Sequence, residues 1–137
     1  MNKILLILII AFGFFACTST KDLSKENFFD KKWALIKING LSEKENATFE
    51  KAGLKFSSAD SVYSGSNGCN MLSGKFHLNG NQIKFEEGLS TKRFCVGIDE
   101  EKFFNILRKT NNLKLKGHNL IFLKDKDVLA IFADRKD

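Results

Sequence analysis

The sequence predicts an α+β domain in which an antiparallel sheet carries a single packed helix. Two observations support this. Short β-prone runs between Trp33 and Ala133 are punctuated by Gly and Asn turn residues. One segment, Asp99 to Thr110, instead repeats its apolar residues at three- and four-residue spacing. A chain of 137 residues makes one domain at most. With 43% hydrophobic and 28% charged residues, it is neither a disordered tail nor a multi-span membrane protein.

The first segment reads as a targeting signal. Met1-Asn2-Lys3 is a short cationic start, and an apolar run from Ile4 to Phe15 is interrupted only by Gly13. The run is shorter than the roughly 20 residues that span a bilayer, so a cleaved signal over residues 1–16 is expected instead of a transmembrane helix. Ala16-Cys17 resembles the bacterial lipoprotein box, with Phe14 and Phe15 standing where that box has Leu and a small residue. The resemblance implies that Cys17 is lipidated and carries a membrane anchor. The alternative is an ordinary cleavage site that releases a periplasmic or secreted protein. Thr18 to Asp22 turn abruptly polar, and residues 17–30 are expected to be a flexible tether before a domain at 31–137.

Within that domain, Trp33 to Ile38 forms the first expected strand, ending at Asn39-Gly40, a dipeptide that tolerates positive φ. A polar stretch, Ser42 to Asn46, separates it from strands at Leu54 to Phe56, Ser61 to Ser64, Leu72 to Leu78 and Gln82 to Phe85. Their turns contain Gly65, Gly68 and Asn79-Gly80-Asn81. Three further strands, Leu113 to Lys116, Leu120 to Leu123 and Val128 to Ala133, follow at hairpin spacing. In the helix, Asp99 is the expected N-cap. Glu100 and Glu101 complement the positive end of the dipole, Arg108 and Lys109 the negative end, and Phe103, Phe104, Ile106 and Leu107 form the apolar stripe.

Lys55-Phe56, Lys75-Phe76, Lys84-Phe85 and Arg93-Phe94 each set a cation beside an aromatic. Neighbours on a strand face opposite ways, so Phe is expected in a core with the cation in water. A nucleic-acid surface would need both on one face, and no nucleic-acid partner is expected. The net charge of +6 is spread along the chain, which suits solubility better than a binding patch.

Cys69 and Cys95 form an even pair in a segment expected outside the cytoplasm, where thiols oxidise. A structural disulfide is the expectation, worth about 3.5 kcal/mol in the chain-entropy treatment. The alternative, a reactive thiol, lacks both a neighbouring His and a C-x-x-C partner. His77 and His118, the only imidazoles, fall on a strand and in a turn, and neither suggests a catalytic base. No enzyme activity, metal or cofactor is expected. The turn around Cys69 could form an anion nest, but it lacks the Lys-Ser/Thr ending and following helix of a phosphate loop.

Gly65-Ser66-Asn67-Gly68-Cys69-Asn70, then Gly74-Lys75-Phe76, then Ser90-Thr91-Lys92-Arg93-Phe94-Cys95, resembles the paired signature of the META domain family, the HslJ-like heat-shock lipoproteins. Trp33-Ala34-Leu35 and Gly117-His118-Asn119-Leu120 fit the same family, while Arg93-Phe94 replaces its usual apolar and small residues. The resemblance implies a partial β-barrel with one helix and motif-turn residues Gly65, Gly68, Asn70 and Thr91. It also implies a stress-related envelope protein without catalytic residues. The functional expectation is a monomeric lipoprotein, on the outer membrane in preference to the inner, that binds another envelope protein by β-augmentation or helix docking. The second expectation is a carrier of a small apolar ligand between sheet and helix.

Overall fold

The computed structural model describes residue 23 and residues 28–135. The expected signal segment, Cys17 and most of the expected tether lie outside the described residues.

Alternating burial lays down the strands. In β4 (Met71–Asn79), Leu72 and Phe76 point inward while Met71, Ser73, Lys75 and His77 point to solvent. Phe56 on β2 (Ala52–Ser57) and Phe76 are buried, and Lys55, Lys75 and Lys84 are exposed, as the cation-aromatic pattern predicts. Arg93-Phe94 departs from it: both residues are exposed, because they lie on a loop with no sheet to divide two faces.

The remaining strands are β1 (Trp33–Ile38), β3 (Val62–Asn67), β5 (Gln82–Phe85), β6 (Leu89–Ser90), β7 (Asn112–Lys116), β8 (Asn119–Lys124) and β9 (Asp127–Asp134). All nine belong to one antiparallel sheet, ordered β3-β2-β1-β9-β8-β7-β5-β4-β6, and β3 also pairs with β4. That pairing joins the two ends of the series, so every strand except β6 belongs to a closed barrel. The expected partial barrel is therefore corrected. Closure depends on β1 pairing with β9 and on one residue pair, Gln82 with Asn112, between β5 and β7.

Among the described residues two helices accompany the barrel, one more than expected. The polar stretch contains α1 (Glu43–Ala47), closed by a capping box in which Ser42 and Glu45 each accept from the other's backbone N–H. The second, α2 (Glu100–Lys109), buries Phe103, Ile106 and Leu107 as its stripe predicts. Asp99 occupies the N-cap position, yet its side chain makes no capping bond. Among the described residues no helix is long and apolar enough to cross a membrane.

The core is a net of rings. Phe56 meets Phe76 edge-on at 5.5 Å, Phe85 stacks on Phe122 at 5.7 Å, and Phe122 lies 4.5 Å from Phe132. Residues expected in the tether join it. Leu23 and Phe28 are fully buried, the Trp33 indole N–H donates to the Phe28 carbonyl, and Leu23 N–H donates to Asn81 Oδ1 in the β4–β5 turn.

Candidate functional site

Sequence neighbours and distant segments converge at one end of β4. The turn after β3 begins at Asn67 and ends at Asn70, with Gly68 at φ +100°, a backbone conformation that side chains with a Cβ resist. Gly65, two residues before Asn67 on β3, lies flat on β2, where a Cβ would collide with the Gly53 carbonyl.

Asn67 and Asn70 are 0% and 1% exposed, and both spend their polar atoms on fixing this end. Asn67 Oδ1 accepts the N–H groups of Cys69 and Asn70 at 3.0 and 2.7 Å. Asn70 Oδ1 accepts the Thr91 hydroxyl and the Arg93 N–H, both at 2.7 Å, while its amide donates to the Arg93 carbonyl and to Glu100 Oε1. Glu100 receives the Asn67 amide on its other carboxylate oxygen. Thr91 adds a second link, its Oγ1 accepting Met71 N–H and its own N–H donating to the Met71 carbonyl. Among the described residues, no buried side-chain polar atom is left unpartnered.

A disulfide completes the lock, with Cys69 and Cys95 joined at a Cα separation of 5.9 Å. Sequence reasoning picked out Gly65, Gly68, Asn70, Thr91 and both cysteines in this cluster, but missed Asn67 and Glu100. A Glu in the first turn of a helix signals only the dipole. Its service to two buried amides depends on a fold-level contact.

The lock fixes a segment whose apolar side chains face solvent. Phe94 is 92% exposed, Val96 87%, Leu89 84% and Met71 60%. Lys92 and Arg93 stand among them, outside any ion pair with a described residue.

Beside this segment a groove separates the β5–β6 edge from α2. One part, about 380 Å³, is lined by Leu72, Phe85, Leu89, Phe104 and Leu107, with Tyr63 at its floor. Burial pushes the Tyr63 phenol up from its ordinary pKa, and its hydroxyl donates to the Glu86 carbonyl. The other part, about 570 Å³, extends past Ser90 to Arg93 and Phe94.

The histidines lie elsewhere. His77 Nε2 contacts the Glu86 carboxylate at 2.5 Å on the surface, and that hydrogen bond lowers the Glu86 pKa. His118 occupies the β7–β8 turn, and neither histidine lines the depression around Cys69 and Cys95. Among the described residues no three His, Cys, Asp or Glu side chains gather as metal ligands would.

A family model, the META domain, matches residues 26–136. Among solved structures, a DUF4847 family protein from Bacteroides vulgatus is similar at a TM-score of 0.65 and 15% identity, covering 83% of this chain and 99% of that one. A protein from Burkholderia xenovorans is similar at a TM-score of 0.59 and 17% identity, covering 80% and 85%. These likenesses establish the fold. No curated protein matches the chain.

Proposed function

We propose, from the premise that this chain belongs to the META domain family, that it is a non-enzymatic, HslJ-like lipoprotein of the cell envelope, held to a membrane through Cys17 and acting in stress or envelope maintenance by binding another envelope protein. One observation carries the reading. Leu89, Phe94 and Val96 are almost fully exposed on a segment that a disulfide and a buried Asn network hold rigid. Apolar groups left in water gain nothing for the monomer, while a rigid patch loses little entropy when a partner covers it.

The place of the patch favours a protein over the bilayer. Cys17 precedes Leu23 by six positions, a reach of at most about 20 Å. Leu23 is fixed to Asn81 beyond one end of β4, whereas Met71 and the patch mark the other, roughly 27 Å away along the strand. An anchor at Cys17 would therefore join the domain at the end of β4 opposite the patch.

A photo-crosslinking residue at position 96, introduced in the native envelope, tests this reading. A single protein crosslinked there, and lost in Phe94→Asp, is the expected result; crosslinks only to lipid would refute it. The groove of about 380 Å³ supports a second reading, a carrier of a small apolar ligand resting on Phe85 and Phe104. Native mass spectrometry of the protein purified from its own membrane decides that, since a carrier retains a bound lipid mass.

A further inference from the structure

The two parts of the groove share Leu89, Ser90 and Phe104, and so form one continuous channel with α2 as one wall and, as the other, the edges of β5 and β6 joined by residues 86–88, which bulge by one residue against β4. The strand edge is open. β7 meets β5 only at Gln82 and then runs on past the β4–β5 turn, so α2 occupies the side of β5 and β6 where another strand would pair.

Backbone alternation identifies which groups this edge presents. Glu86 N–H donates to the Lys75 carbonyl and Thr91 N–H to the Met71 carbonyl, so both residues point toward β4. In an antiparallel ladder their neighbours point the other way. Ile83 demonstrates the rule, its outward N–H donating across to Asn111. The N–H and C=O of Phe85 and Ser90 likewise face away from β4, and both residues line the groove.

We propose that this groove binds an extended peptide segment of a partner protein, which adds a strand along Phe85 to Ser90 and rests alternate side chains on Phe104 and Leu107. The proposal rests on the protein-binding reading and names the site and the partner's chemistry. A small apolar ligand would leave the outward backbone groups unanswered, whereas an extended backbone meets them. Charge sets the direction. Glu101 and Arg108 in the groove pair with each other and Glu100 is spent on Asn67 and Asn70, which leaves Lys92 and Arg93 at one end and Glu86 and Glu87 at the other; the peptide's acidic end therefore lies toward Lys92 and its basic end toward Glu87.

The test pans a displayed library of short unstructured peptides against the full chain in detergent and measures the selected peptides on variants. Ser90→Pro deletes an outward donor without touching the ladder to β4, and it is expected to weaken binding about tenfold or more. Ile36→Thr, an exposed position on β1 away from both the groove and the patch, is expected to leave binding unchanged. Selected sequences should alternate apolar residues and carry an acidic end. Amide hydrogen exchange on the unaltered chain supplies a readout that survives a variant failing to fold, because bound peptide should slow exchange at Phe85 and Ser90. Failure to select any peptide, equal binding to Ser90→Pro in its folded form, or no protection at those two amides would each overturn the proposal. So would a dimer of the protein alone that protects the same amides, which would make a second copy the occupant. A protein crosslinked at position 96 alongside any of these outcomes would leave the protein-binding reading standing and remove only the groove.

Discussion

The side-chain amide of Asn70 donates to Glu100 Oε1 at 2.8 Å, tying the turn after β3 to the first turn of α2. Asn70→Ala would take their acceptor from the Thr91 hydroxyl and the Arg93 N–H, and a donor from Glu100 Oε1, within a part-buried network. A loss of about 2 to 4 kcal/mol in urea unfolding is expected. Asn70→Asp should cost at least as much at neutral pH, since it sets a second carboxylate against Glu100, and part of that loss should return on acidification.

Reduction of the Cys69–Cys95 bridge, or the double substitution Cys69→Ser/Cys95→Ser, should lower unfolding stability by about 3.5 kcal/mol. The buried Asn network spans the same two segments, so the domain should remain folded. Amide exchange should then quicken first in residues 92–98.

Glu45 bridges the helices, accepting from Lys102 at 2.8 Å while its own backbone joins the Ser42 capping box. The Lys102 bond, followed by the Ser42 bonds, holds its carboxyl from about 4.5 down to about 2. A depressed folded-state pKa contributes stability above the unfolded value and loses it as pH falls. Stability should therefore decline between about pH 4.5 and pH 2, and less steeply in Glu45→Gln. Lys102, raised by the same bond, contributes below its unfolded pKa and loses that contribution on the alkaline side. Chemical denaturation at a series of pH values reads both limbs.

Phe94→Ser and Val96→Ser should change unfolding free energy by less than about 0.5 kcal/mol, because these side chains bury nothing in the monomer. The same substitutions should reduce partner capture at the patch. Equal capture by the variants would show that the exposed Phe94 and Val96 side chains are incidental.

Legibility in the sequence followed the range of the interactions. The strands from Trp33 to Ile38 and from Met71 to Phe85, and the α2 stripe, are written in local alternation and periodicity, and they fold where those patterns place them. Barrel closure is not local, since β1 meets β9 and β3 meets β4 through pairings that no short window encodes. β6 has two residues and no period to read. Two features had signals that went unread: the Ser42-x-x-Glu45 box that starts α1, and Leu23 with Phe28, apolar residues in a polar stretch that pack into the core. Around the site, turn chemistry exposed Gly68 and Asn70, and cysteine pairing exposed the bridge. Glu100 gave no such sign, because a carboxylate's partners depend on what the fold brings to it.

The pairing of Trp33 with Asp134 has a consequence for when the barrel can close. The first strand is sealed by the last, so no length of chain that stops short of β9 can complete the barrel. Until β9 arrives, Leu35 lacks the neighbour Phe132 that pairs opposite it. Chain growth and closure are thereby separated in time, and the β8–β9 hairpin acts as the clasp that shuts the barrel last.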